Sequence, residues 1–183
     1  MRKFKKIVCI GLPKTETTTF SQCAKKLGYS TAPYDINLIN LVAQRDLSSL
    51  KTSLQKYDCF EDWPWPIVYP EVYALEPDAA YVLTIRRDPE TWLSSIRKHT
   101  KRNPGVESRQ LREQLFGYSD PWTQESEYFD FYNTHRKNVI QFFSDKKEQF
   151  LEVSWERGDA WTEICDFLVM ELRIGGEFKR ADT

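Results

Sequence analysis

The sequence predicts an α/β fold in which a short parallel sheet lies between two layers of helices. Apolar, β-rich runs alternate along the chain with longer segments whose apolar residues recur at helical spacing. Strands that alternate with helices are typically joined by right-handed crossovers into a parallel sheet. No repeat, linker or low-complexity segment interrupts this order, and 183 residues suit one domain with a sizeable core. We therefore expect a single three-layer α/β/α domain over residues 1–183.

The first half of the chain is predicted to contain one clear strand and several helices. "IVCI", residues 7–10, is β-rich and apolar, as a buried strand of a parallel sheet is. Residues 15–27 follow as a helix, and the apolar spacing over residues 35–56 predicts one or two more. A structured loop rich in proline and aromatic residues then leads to a short helix near residues 70–75.

The second half contains the clearest strand, "AAYVLTI" at residues 79–85. Asp88 or Pro89 is a typical start signal for the helix that follows it. Further helices are predicted over residues 107–117 and 126–145. A last strand, a last helix and a loop-like tail are expected at residues 150–155, 159–169 and 170–183.

Composition and charge exclude several classes of protein. Charged residues make up 29% and apolar residues 40% of the chain, which is the balance of a soluble domain. No apolar run approaches the roughly 20 residues that span a bilayer, and a net charge of −1 does not indicate a nucleic-acid-binding surface. The four scattered cysteines suit a reducing cytoplasm rather than a disulfide framework or a zinc site. We expect a cytoplasmic protein without membrane or nucleic-acid partners, whose oligomeric state the sequence does not indicate.

A polar loop, "GLPKTETTTF" at residues 11–20, joins the first strand to the first helix. The N–H groups at the start of a helix and its dipole favour a bound anion, and Lys14 adds a full positive charge. The G-x-x-x-x-G-K-[ST] pattern of nucleoside triphosphatases is absent, which disfavours a kinase. The loop is therefore either an anion site or a surface loop with a threonine helix cap. Its candidate ligands are Pro13, Lys14, Thr15, Thr17, Thr18 and Thr19.

A second polar segment, "RRDPETWLSS" at residues 86–95, follows the clearest strand. Arg87 and Ser95 are eight residues apart, which brings the hydroxyl to the side of the helix nearest the strand end. Arg86 with Ser94 is the alternative register. A guanidinium can bind two phosphate oxygens at once. Without a phosphate, Arg87 would pair with Asp88 at a solvated helix start.

The two motifs resemble the phosphate-binding blocks of the compact sulfotransferases of the P-loop superfamily. "PKTETT" is similar to the loop that holds the 5′-phosphosulfate of 3′-phosphoadenosine 5′-phosphosulfate (PAPS). "RRDPETWLSS" is similar to the block in which an arginine and a serine bind the 3′-phosphate. "FEDWPWP", "YNTHRKNVIQFF" and "LEVSWERGDAW" extend the resemblance over about residues 5–168.

The resemblance implies a PAPS-dependent sulfotransferase with a P-loop NTPase-like topology and no metal. It would move a sulfuryl group from PAPS to a hydroxyl or amine of a small-molecule acceptor. Lys14 would stabilise the charge on the sulfuryl group, and Arg87 and Ser95 would bind the 3′-phosphate. Lys179 and Arg180 are further candidates, because the family often closes a basic C-terminal segment over that phosphate. A solvated basic end is the alternative interpretation.

The general base is expected in the aromatic loop. Asp62 follows a predicted strand, and burial against Trp63 and Trp65 would raise its pKa. Sulfotransferases that this chain resembles place a carboxylate or a histidine in a comparable loop. Glu61 and His135 are alternatives, although a histidine on the apolar face of a helix is more often a hydrogen-bonded core residue. Asp62 could instead cap a turn.

One position departs from the family pattern. The loop usually reads P-K-T-G-T-[TS], and Glu16 stands in place of the glycine. If this position needs a positive φ or close approach of a phosphate, Glu16 is unfavourable in conformation and in charge, unless its carboxylate turns to solvent or pairs with a basic residue. The alternative function is therefore a catalytically impaired relative that works as a binding or scaffold protein. The other motif residues are present, which favours the enzyme.

Overall fold

A four-stranded parallel sheet forms the centre of the protein. The computed structural model describes residues 1–158 and 160–169, apart from the side chains of residues 106–108. The strand order is β2–β1–β3–β4, and every neighbouring pair is parallel. The strands are β1 (Ile7–Cys9), β2 (Cys59–Phe60), β3 (Ala80–Thr84) and β4 (Phe150–Val153). The predicted tail, with Lys179 and Arg180, lies outside the described residues.

Helices fill the connections between these strands. They are α1 (Thr17–Lys26), α2 (Ile36–Ala43), α3 (Leu50–Lys56), α4 (Tyr69–Leu75), α5 (Pro89–Arg102), α6 (Val106–Phe116), α7 (Glu125–Phe142) and α8 (Ala160–Leu168). Asp88 is the N-cap residue of α5, in line with the predicted start signal. Its Oδ1 accepts a hydrogen bond from the Thr91 N–H at 2.6 Å. No helix in the described ranges is both long and apolar enough to cross a membrane.

Each face of the sheet packs against its own layer of helices, because successive strand residues point to opposite faces. Val8 and Leu83 belong to a core with residues of α2, α3, α4 and α7. Ile7 and Val82 belong to a second core with residues of α1 and α8. The predicted three-layer α/β/α fold with a parallel sheet is confirmed.

A third apolar cluster lies beyond the carboxyl ends of the strands. It joins α5, α6 and α7 to the loops that follow β1 and β2. Its buried aromatic members include Trp63, Trp92, Phe116, Tyr128 and Tyr132. This cluster supports the loops in which the sequence motifs lie.

The strand order places both motifs at a switch point of the sheet. The chain leaves β1 toward β2 on one side and later returns to pair β3 with the other side of β1. Ligands of open α/β sheets bind outside the carboxyl ends of the strands at such a point. The loop at residues 11–16 follows β1, and Arg86 and Arg87 follow β3.

Candidate active site

Gly11 lets the loop after β1 lie directly on β3. A Cβ atom at this position would be 2.0 Å from Thr84 Oγ1 and 2.4 Å from the Thr84 carbonyl oxygen. The backbone carbonyl cannot move aside, so a larger residue does not fit. Thr15 also stabilises this loop, because its hydroxyl donates to the Leu12 carbonyl at 2.6 Å and lies 2.7 Å from Thr84 Oγ1. The Thr15 side chain, predicted as an anion ligand, is buried and holds the loop in place.

Two ring nitrogens also form hydrogen bonds to the loop and to the end of β1. Trp92 is fully buried, and its Nε1–H donates to the Pro13 carbonyl at 2.8 Å. His135 Nε2 lies 2.8 Å from the Ile10 carbonyl, which can only accept, so Nε2 carries the proton. Burial lowers the pKa of His135 to about 4. His135 is therefore a neutral, hydrogen-bonded residue of the interior, the role that histidines on apolar helix faces most often have.

The start of α1 leaves backbone donors open to the cavity above it. Lys14 and Glu16 both have left-handed backbone conformations, with φ of 70° and 71°. Glu16 is the N-cap residue of α1, but no side chain caps the helix. The first-turn N–H groups of Thr17, Thr18 and Thr19 have no intrahelical partners. They are therefore available to an anion, together with the Lys14 ammonium.

Glu16 takes part in an ion-pair network across the ends of three strands. Its Oε1 lies 2.5 Å from Arg86 Nη1, and its Oε2 accepts from the Thr19 hydroxyl at 3.2 Å. Arg86 Nη2 lies 2.7 Å from Glu156 Oε1, and Glu156 Oε2 accepts from the Arg87 N–H at 2.8 Å. Position 16, where the family pattern has glycine, therefore does have a positive φ, and the Glu16 carboxylate pairs with a basic residue.

Arg87 and Ser95, the predicted 3′-phosphate ligands, line one shallow polar cavity of about 400 Å³. The Arg87 side chain is 66% exposed, and its Nε donates to Asp88 Oδ2 and Thr91 Oγ1, each at 3.1 Å. This is the helix-start pairing that was the alternative expectation for Arg87. Arg86, Glu90, Thr91, Ser94 and Lys98 complete the lining.

A larger cavity of about 530 Å³ lies over the loop. Lys14, Glu16 and the threonines of α1 contribute polar groups to its lining. Arg86 and Ser95 line both cavities, so the two meet at these side chains. The lining also includes residues of the aromatic loop, α5, α6 and the segment before α2, namely Tyr34, Asp62, Trp63, Ile96, His99, Thr100, Asn103, Leu111, Arg112, Leu115 and Phe116.

Asp62, not Glu61, lines this cavity within the described part of the chain. Burial raises the pKa of the Asp62 carboxyl, while the Trp63 N–H, Lys14 and His99 act in the opposite direction. Its Oδ1 accepts from that N–H at 2.9 Å, and its φ is 63°. Burial also raises the pKa of Glu61, whose Oε2 has no hydrogen-bond partner among the described residues.

Sequence reasoning missed part of this site. A basic partner for Glu16 was one of the expected possibilities, but Arg86 was not identified as that partner, and His99, which was not a candidate site residue, lines the cavity with Asp62. Leu111 and Leu115 are one helical turn apart, which was the available sign of an apolar face. Trp63 lines the cavity, whereas Trp65 packs on Phe60 in the core, with 4.6 Å between the two ring centroids.

The fold and the site together define an α/β protein with two polar cavities at the ends of β1 and β3. Lys14 and the first turn of α1 line the larger cavity, and Arg87 and Ser95 line the smaller one. Among residues 1–158 and 160–169, no three or more His, Cys, Asp or Glu side chains are grouped so that they could hold a metal ion.

Residues 6–111 match the family model described as "Sulfotransferase domain". The match covers more than half of the 183 residues and contains both motifs that were predicted to bind anions. The chain therefore belongs to the sulfotransferase domain family, as the motifs predicted. Sulfuryl transfer to a small-molecule acceptor is the general activity that this membership supports. No curated protein matches the chain.

Proposed function

We propose that the protein transfers a sulfuryl group from PAPS to a hydroxyl or amine of a small acceptor. The observation that carries this proposal is the position of the two anion-binding motifs. They follow adjacent strands, β1 and β3, and the cavities that they line meet at Arg86 and Ser95. A donor with phosphate groups at both ends requires two such sites connected by open space.

The donor would lie across the ends of β1 and β3. Its 5′-phosphosulfate would bind the Lys14 ammonium and the first-turn N–H groups of α1, with the hydroxyls of Thr17 and Thr18 at the same edge of the cavity. Its 3′-phosphate would bind Arg87 and Ser95 in the shallow cavity. Arg87 is exposed, so its guanidinium can leave Asp88 for a phosphate at little cost.

The acceptor would occupy the part of the larger cavity that the aromatic loop and α6 line. Trp63, Leu115 and Phe116 give it a largely buried apolar wall, on which an apolar or aromatic body can pack. Asp62 lines the same space. An acceptor held there would direct its hydroxyl or amine toward the phosphosulfate end.

The reaction would be an in-line displacement at sulfur. The acceptor oxygen or nitrogen forms a bond to sulfur while the bond from sulfur to the phosphate oxygen of the donor breaks. The acceptor proton passes to the Asp62 carboxylate. The leaving phosphate gains negative charge, which the Lys14 ammonium and the α1 N–H groups stabilise. The products are the sulfated acceptor and 3′-phosphoadenosine 5′-phosphate (PAP).

Radiolabelled PAPS offered with a panel of phenols, alcohols and amines tests this function. We expect transfer to at least one acceptor, and Lys14→Ala should reduce the rate by roughly 10²-fold or more, because it removes a charge at the reacting group. Lys137→Ala is the matched control, since Lys137 is exposed on α7 and lines neither cavity. An unchanged rate in Lys14→Ala would overturn the assignment of the loop.

A further inference from the structure

We propose that Arg86 is a positioning residue, which holds the Glu16 carboxylate away from the donor site so that this loop can bind an anion. The inference rests on the proposed function, because the anion in question is the phosphosulfate end of PAPS. It accounts for a loop that carries glutamate where glycine is usual. The role follows from three features: where the Glu16 carboxylate points, how Arg86 is fixed, and what else the carboxylate could bind.

The Glu16 carboxylate is turned away from the N–H groups of its own helix. Acidic side chains at a helix start commonly accept from these groups. Here Oε1 binds Arg86 Nη1 at 2.5 Å and Oε2 accepts from the Thr19 hydroxyl at 3.2 Å, while no side chain caps α1. The pair with Arg86 thus leaves the backbone donors free.

Arg86 is itself fixed on several sides. Its backbone N–H donates to Tyr132 Oη at 2.9 Å, and the Tyr132 hydroxyl donates back to the Arg86 carbonyl at 3.1 Å. Its Nη2 lies 2.7 Å from Glu156 Oε1, beyond the end of β4. Only 16% of the side chain is exposed. The guanidinium is therefore an anchored partner for Glu16 rather than a mobile surface charge.

Without Arg86, the Glu16 carboxylate would become an internal competitor of the donor. The first-turn N–H groups of α1, which are the proposed phosphosulfate ligands, directly follow Glu16 in the chain and have no side-chain cap. A carboxylate that caps them would block the site and repel the donor by its charge. Removing the charge of Glu16 should therefore make Arg86 dispensable for binding.

A charge-removal cycle tests this dependence. PAP binding is measured by calorimetry for the wild type, Arg86→Met, Glu16→Gln and the double variant. Gln keeps the side-chain length and the backbone strain, so the cycle isolates the carboxylate charge. We expect Arg86→Met to weaken PAP binding about tenfold or more and Glu16→Gln to bind at least as tightly as the wild type. The double variant should bind within about threefold of Glu16→Gln.

Arg97→Met is the matched control, because Arg97 forms a 2.5 Å ion pair with Glu125 and lines neither cavity. It should leave PAP affinity unchanged. Arg86→Lys keeps the charge and should retain most of the affinity. Urea unfolding of each variant checks that the fold is retained.

The outcomes separate this inference from the proposed function. If Arg86→Met causes an equal loss with the wild-type Glu16 and with Glu16→Gln, the inference is overturned, because Arg86 then acts on the donor or on the fold rather than through Glu16. No loss in either background would overturn it as well. Absence of PAP binding in all four proteins would refute the proposed donor site, and the role of Arg86 with it.

Discussion

Asp62 is a carboxyl group on which burial and neighbouring charges act in opposite directions. Burial raises its pKa, whereas the Trp63 N–H, Lys14 and His99 lower it, and burial is the larger effect. A general base needs a pKa closer to neutrality than that of an ordinary aspartate, so this environment suits a base. A turn-capping residue would instead be held ionised by its hydrogen bond.

We predict that Asp62→Asn lowers the rate of sulfuryl transfer by roughly 10²- to 10⁴-fold, because the acceptor proton then has no base. The same substitution should stabilise the fold at neutral pH. Because the pKa is raised in the folded state, the folded protein keeps a proton that the unfolded chain has already lost. Stability therefore falls as pH rises from the ordinary pKa of an aspartate through the raised value.

Urea unfolding of Asp62→Asn and wild type over a range of pH measures this effect. The stability gain of Asp62→Asn should be largest near neutrality and should disappear at roughly pH 3, about one unit below the ordinary pKa of an aspartate, where both states of the wild type are protonated. A loss of stability at neutral pH would contradict the proposed role and support a capping role for Asp62.

At the scale of elements, the start of α1 shows how a local conformation determines a site. The sequence predicted a helix from residue 15, but α1 begins at Thr17. The reason is the left-handed backbone at Lys14 and Glu16, which non-glycine residues adopt only when the surrounding structure imposes it. Helical spacing does not reveal such a constraint, because it arises from the packing of the loop on Thr84 and Trp92.

This conformation gives a stability prediction. Glycine is ordinarily better tolerated than alanine at an N-cap, and the positive φ of Glu16 adds to that preference. Here Glu16→Gly should be more stable than Glu16→Ala by about 1 kcal/mol, because glycine adopts a positive φ without strain. Both variants lose the ion pair to Arg86 equally, so their difference isolates the backbone term. Urea unfolding measures it, and an Ala variant as stable as the Gly variant would contradict the left-handed assignment.

Elements with strong local signals were the predictable part of the fold. The strand at residues 79–85 is observed as Ala80–Thr84, and the helix after Asp88 as Pro89–Arg102. The strand expected before Asp62 is β2, but its bounds were not predicted, because it is only Cys59–Phe60 and exists through its pairing with β1. Two adjacent apolar residues carry no periodicity from which the bounds of a strand can be determined.

At the scale of the whole molecule, the site depends on contacts between segments far apart in sequence. Glu16 and Arg86 are 70 residues apart, and their pair exists because β1 and β3 are neighbours in the sheet. The motifs predicted two anion-binding segments at strand ends, but not which strands are adjacent. The cover by α6 is likewise a tertiary feature, since only a weak apolar pattern marks the face that closes the cavity.

The family match and the fold agree on a sulfotransferase domain, and we infer in addition that its donor site is functional despite Glu16. That claim depends on Lys14 and α1 at one end of the site and on Arg87 and Ser95 at the other. Calorimetric titration of the purified protein with PAP, without magnesium, tests it most directly. ATP, which lacks the 3′-phosphate, serves as the control nucleotide.

We predict PAP binding with a dissociation constant on the order of micromolar, weaker binding of ATP, and loss of PAP binding in Arg87→Ala. This result would establish a working donor site. Binding that is unchanged in Arg87→Ala would contradict the assigned 3′-phosphate site. Absence of PAP binding in the wild type would contradict the central claim, and rescue by Glu16→Gly would show that the glutamate closes the donor site.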